Sequence, residues 1–130
     1  MKIAFATEDL VSVDAHFGCA RHIVVWEVSA GEARPVAKHS FPEAEADGGH
    51  DKLAPRVEAL EGCSVVFVAA IGAAASKLAV ERGVLPVRLP EGEAIADAAA
   101  KLGRLLGGTP PPWLRNAVAR DVERPADPEA

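Results

Sequence analysis

The sequence predicts an α/β domain in which helices lie over the faces of a mixed five-stranded sheet. Three observations carry that prediction. Two strand-like apolar runs, Lys2–Thr7 and His22–Val28, flank a short loop near the start of the chain. A later run, Val65-Val66-Phe67-Val68-Ala69-Ala70, is apolar at every position, as expected of a central strand buried on both faces. Strand-like and helix-like segments then alternate through the second half, which implies right-handed parallel crossovers.

Taken in order, Lys2–Thr7 is the opening strand and Glu8–Val13 a loop, and the second strand runs from about His22 to Val28. Ser29-Ala30-Gly31-Glu32 reads as a hairpin turn into a more exposed third strand, Ala33–Phe41, where Pro35 marks a sheet edge. These three strands form an antiparallel meander. The acidic, glycine-rich stretch 43–49 reads as a surface loop with nothing to bury. A helix is expected from about Asp51 to Glu61, because Leu53, Val57 and Leu60 share one face, Asp51 can cap it and Pro55 falls in its first turn.

Gly62 ends that helix, and the central strand follows. A second helix is expected over Ala73–Arg82, closed by Gly83. Leu85–Leu89 is a short strand, and Ile95, Ala98, Ala99, Leu102 and Leu106 mark a third helix ending at Gly107-Gly108. Thr109-Pro110-Pro111-Pro112-Trp113-Leu114 reads as an extended strap with Trp113 and Leu114 docked on the body. Residues 1–119 are expected to form one domain and 120–130 a flexible tail.

At 130 residues, 49% apolar and 25% charged, the chain can bury a core without staples. A net charge of −5 and an aromatic content of 5% argue against a nucleic-acid partner. No apolar run is long enough to span a bilayer, and Met1-Lys2-Ile3-Ala4 enters a strand with no export leader, so a cytoplasmic protein without membrane partners is expected. Cys19 and Cys63 are too far apart for a Cys-x-x-Cys motif. No phosphate-loop, dinucleotide or nucleophile-elbow motif occurs.

The chemistry concentrates in Val13-Asp14-Ala15-His16-Phe17-Gly18-Cys19-Ala20-Arg21-His22, which holds two histidines, a thiol, a carboxylate and an arginine in ten residues. Gly18 offers either unusual backbone angles or a close approach to the main chain. Asp14 is either a loop cap or a partner that fixes the imidazole of His16. Arg21 and His22 are candidate partners for an anion, with an exposed strand edge as the plainer alternative. Gly72 stands where the central strand turns into a helix, whose free amides suit an anion. Cys63 is expected in the core, and His39 and His50 in solvent.

Around Asp14-Ala15-His16-Phe17-Gly18 the sequence resembles the nitrogenase iron-molybdenum cofactor biosynthesis family of NifX-type and NafY-type carriers. Asp51-Lys52-Leu53-Ala54-Pro55, Glu61-Gly62-Cys63, Ala70-Ile71-Gly72, Pro86-Val87 and Pro110-Pro111-Pro112-Trp113-Leu114 extend the likeness in the same order over Lys2 to Ala119. The resemblance implies a ribonuclease H-like fold and a non-catalytic role. In that role the protein binds an iron-sulfur cluster precursor and passes it from a cluster-building enzyme to a cofactor scaffold or apo-nitrogenase.

Carried onto this chain, His16 is the ligand or anchor, with Cys19 either a second ligand or a small apolar filler. Phe17, Gly18, Arg21, His22 and Gly72 complete the expected binding set. Cys19, and the three alanines after Gly72, depart from the family pattern. Two alternatives stand beside this one. A metal-dependent nuclease would need converging carboxylates. A protein-docking module would use Trp113 and the proline strap.

Overall fold

The structure, a computed structural model, describes residues 1–41, 53–90 and 92–123. The expected acidic loop, His50, the Asp51 cap and the tail beyond Glu123 lie outside the described residues. Strand β1 (Lys2–Thr7) is central, antiparallel to β3 (His22–Ser29) and parallel to β5 (Cys63–Val68). The edges are β4 (Glu32–Ser40), antiparallel to β3, and β6 (Leu85–Arg88), parallel to β5, giving the order β4-β3-β1-β5-β6. The mixed five-stranded sheet and its antiparallel start match the sequence-based expectation.

Pro35 lies in the edge strand β4 beside a register shift, where its missing amide disrupts least. All six residues of β5 are buried, which is why that strand reads as an unbroken apolar run. Two clusters fill the two faces of the sheet. Ala4, Ala6, Ile23, Val25, Val66 and Val68 pack beneath α1 (Leu53–Glu58) and α2 (Ala73–Glu81). Ile3, Phe5, Val24, Val65 and Phe67 pack beneath α3 (Ile95–Leu106) and α4 (Pro112–Glu123). The Phe5 ring stacks on Phe67 at 5.4 Å and meets Trp26 edge-on at 6.4 Å. Gly103 lets α3 close on the β3–β4 turn, since a Cβ there would stand 3.3 Å from the Ser29 carbonyl oxygen.

Three local expectations are corrected. The stretch from Thr109 is not an extended strap through Leu114: Pro112 opens α4, which buries Leu114 and Ala117 and continues to Glu123. Proline is favourable in a first turn, where its missing amide has no helical partner, so the proline run marks a helix start. Ser64 Oγ donates to Asp121 Oδ1 at 2.8 Å, tying the far end of α4 to β5. The first helix is shorter than expected, because single-turn bonds carry the chain from Glu58 to Gly62, whose φ of +82° ends it. Ser12–Val13 is not loop but strand β2, paired with β7 (Glu93–Ala94) in a two-stranded ladder too short to show periodicity in sequence.

The loop between β1 and β2 is organised by carboxylates. Asp9 accepts from the amides of Val11 and Ser12 at 2.9 and 2.8 Å and from the Ser12 hydroxyl at 2.6 Å. These bonds, Ser12's foremost, hold its carboxyl far below its ordinary value near 3.8. Because the folded value is the lower one, the stabilisation is present above the unfolded value and is lost as pH falls toward the folded value. Asp9→Ala is therefore expected to lower the melting temperature at neutral pH. The gap to the parent should narrow as pH falls below about 4, and thermal melts across that range check it.

Candidate functional site

The segment after β2 folds onto the end of β5. Ala69 donates its amide to the Ala15 carbonyl at 3.1 Å, and Phe17 donates to the Ala70 carbonyl at 2.9 Å. His16 and Ala70 thereby form an isolated parallel bridge. This places the segment at the carboxyl ends of the parallel strands β1 and β5, from which the chain departs toward β3 on one side and β6 on the other. Such divergence points are where open α/β sheets hold ligands.

Phe17–Cys19 forms a single 3-10 turn with His16 as its N-cap. Cys19 donates its amide to the His16 carbonyl at 3.0 Å, the i to i+3 bond that closes the turn. His16 and Cys19 are both exposed, while Phe17 and Gly18 between them are buried. Phe17 is fully buried, so it holds the turn from below and does not line its open side. Gly18 has no positive φ, and a Cβ there would stand 3.4 Å from Leu53 and 3.7 Å from the His16 ring, an ordinary contact distance.

The Gly18 amide donates to His16 Nδ1 at 3.2 Å. An accepting Nδ1 puts the hydrogen of a neutral imidazole on Nε2. At rest the ring therefore presents an N–H donor, and binding a metal through Nε2 requires the proton to move to Nδ1 and the Gly18 bond to break. Asp14 serves the loop: its Oδ1 accepts from the Glu8 amide at 2.7 Å and the Thr7 hydroxyl at 3.4 Å.

The other expected site residues divide. Gly72 is the exposed N-cap of α2, two positions beyond the Ala70 bridge, and among the described residues a Cβ there would meet open space beyond its own chain neighbours. Its helix start, Ala73-Ala74, is also exposed. Arg21 is exposed, and its carbonyl accepts the Phe41 amide at 2.8 Å. His22 is drawn elsewhere: Nδ1 lies 2.8 Å from Ser40 Oγ on β4, and strand alternation puts it on the Val24 face, opposite the face that packs Phe17. Cys63 is fully buried and His39 exposed, as expected.

Sequence reasoning missed Arg56. It is 3% exposed in α1, donates from Nε to the Ala20 carbonyl at 3.0 Å, and stacks its guanidinium 4.7 Å over the Phe41 ring. Burial pushes its pKa down, and the negative potential of Cys19 and Glu8 opposes that shift. A signal was available. Arg56 falls on the apolar stripe of Leu53, Val57 and Leu60, where a charged residue needs a buried partner.

By architecture the chain is a three-layer α/β domain that displays an imidazole and a thiol on one turn above a buried cation. The chain belongs to the dinitrogenase iron-molybdenum cofactor family, whose model matches residues 1–105. NifX of Herbaspirillum seropedicae is 42% identical over 125 residues, covering 95% of this chain and 86% of that protein. NifX of Rhodobacter capsulatus is 40% identical over 123 residues, covering 91% of this chain and 77% of that one. The crystal structure of PH0822 matches with a TM-score of 0.61 at 24% identity over 77% of this chain and 86% of that one, a likeness of fold alone.

Proposed function

We propose that this protein is a non-catalytic carrier. It holds an iron-sulfur precursor of the iron-molybdenum cofactor on the His16–Cys19 turn and passes it from a cluster-building enzyme to the cofactor scaffold or apo-nitrogenase. Family membership assigns the chain to nitrogenase cofactor biosynthesis and hence to nitrogen fixation. The observation that carries the finer role is the exposure of both His16 and Cys19 at the two ends of one short turn clamped to β5.

A carrier must release its cargo, so a sparse donor set is an advantage. The bond from Gly18 to His16 Nδ1 makes the imidazole a reluctant ligand, since ligation at Nε2 forfeits an interaction of about 1 kcal/mol. The open start of α2 beyond Gly72 supplies amides toward an anionic cargo. The strand order β4-β3-β1-β5-β6, with only β3 antiparallel to its neighbours, supports a ribonuclease H-like arrangement. Among the described residues no helix is long and apolar enough to cross a membrane.

The test is anaerobic uptake of an isolated precursor, followed by absorbance after gel filtration. His16→Ala should weaken uptake by about tenfold or more, equivalent to about 1.4 kcal/mol. Losing the cap bond should cost stability only about 0.5–1 kcal/mol. Uptake equal to the parent's would sink the assignment of His16. The nuclease alternative has little to stand on: among the described residues no group of three or more His, Cys, Asp or Glu is placed to hold a metal ion, and Asp9 and Asp14 close the β1–β2 loop.

A further inference from the structure

We propose that Arg56 makes the His16–Cys19 turn selective for a net-negative, sulfide-bearing cluster over a bare divalent metal ion. The inference deepens the carrier reading and rests on it.

A buried guanidinium is costly to desolvate. The structure places one beneath this turn nonetheless. Its Nε is committed to the Ala20 carbonyl, the residue that closes the turn, and its guanidinium carbon lies 4.7 Å from the centre of the Phe41 ring. Those two contacts hold the charge in register with the turn through the backbone, so the cation cannot swing away as a surface lysine would. Negative charge at the Cys19 position, as at Glu8, favours the charged form of Arg56 against the burial that disfavours it.

Because Arg56 itself is buried, that coupling is screened less than one between two exposed charges. Its sign discriminates. A cluster whose sulfides leave it net negative is stabilised by the fixed cation, whereas a bare divalent ion meets a like charge. His16 and Cys19 alone would not provide this distinction, since imidazole and thiolate bind divalent ions readily. Arg56 thus acts as a positioning and selectivity residue through the field it sets and the carbonyl it holds.

The experiment compares two probes on the full chain without oxygen. One is the dianionic [4Fe–4S] cluster bearing four mercaptoethanol thiolates, and the other is cobalt(II) ion. With the first, Sγ of Cys19 bonds one iron as one mercaptoethanol leaves carrying the Cys19 proton, so no electrons change hands. Arg56→Gln should lower cluster affinity by about tenfold while cobalt affinity holds or rises. Arg56→Lys should restore part of the preference. Arg56→Met, which fills the slot without charge, should repeat the Gln result if Gln fails to fold.

Equal loss of both probes would reduce Arg56 to a structural support and overturn the inference. So would folded Gln and Met variants that take up cluster as well as the parent. A parent chain that takes up no cluster overturns the carrier reading itself, and the selectivity with it. The parent's own behaviour therefore tells the two failures apart.

Discussion

Phe17→Ala is expected to lower the stability of the domain by about 3–5 kcal/mol, the range for truncating a fully buried aromatic ring. The ring is 0% exposed and packs with Ala15, Ala20, Ile23 and Val68 under the turn. Its removal leaves a cavity beneath the very backbone that carries His16 and Cys19. Urea unfolding at constant slope measures the effect as a shift in midpoint. Phe17→Leu, which keeps most of the volume, should lose far less and retain cluster uptake. A Phe17→Ala variant of parental stability that nonetheless failed to load would instead mean that the ring meets the cargo.

The second large effect is expected at α4. Leu114→Ala should cost about 2–5 kcal/mol, because the side chain is fully buried against the sheet. Ending the chain at Gly108 should be worse. It would also remove Ala117 and the Trp113 and Val118 packing, and leave Ser64 Oγ without Asp121. Loss of cooperative melting on truncation, seen by circular dichroism, is the expected outcome. A strap of the kind the proline run suggests would come away with little change in melting. The docking-module alternative therefore cannot be tested by deleting this segment, since the deletion removes core. Exposed substitutions on α4, such as Arg115→Glu, leave the core intact and serve that purpose.

Much of the fold was legible because burial on both faces leaves a plain mark. The apolar run of β5, the glycines at 62 and 83, and the stripe of α3 each follow from local sterics and hydrophobic periodicity. The β2–β7 ladder was not legible, because two-residue strands have no period and their pairing depends on residues some eighty positions apart. The α4 helix was missed because Pro110-Pro111 describes the approach and Pro112 the first turn, and nothing local separates the two.

His16, Phe17, Gly18 and Cys19 were singled out from chemistry packed into a short loop, and their grouping followed from being neighbours in sequence. Which of them face outward did not. That division depends on the 3-10 turn, and the turn on two hydrogen bonds to Ala69 and Ala70, more than fifty residues away. His22, six positions from His16, went to the other face of the sheet because β3 starts there and strands alternate.

By itself, then, the sequence determined the mixed sheet, the family and the histidine-bearing loop, since each depends on local pattern or ordered motifs. Only the tertiary structure decided that Phe17 supports the turn while His16 and Cys19 are exposed on it, and that Arg56 lies buried against Ala20. The physical reason is that a side chain's direction and a buried charge's partner are set by contacts between segments distant along the chain, and those contacts have no period to read.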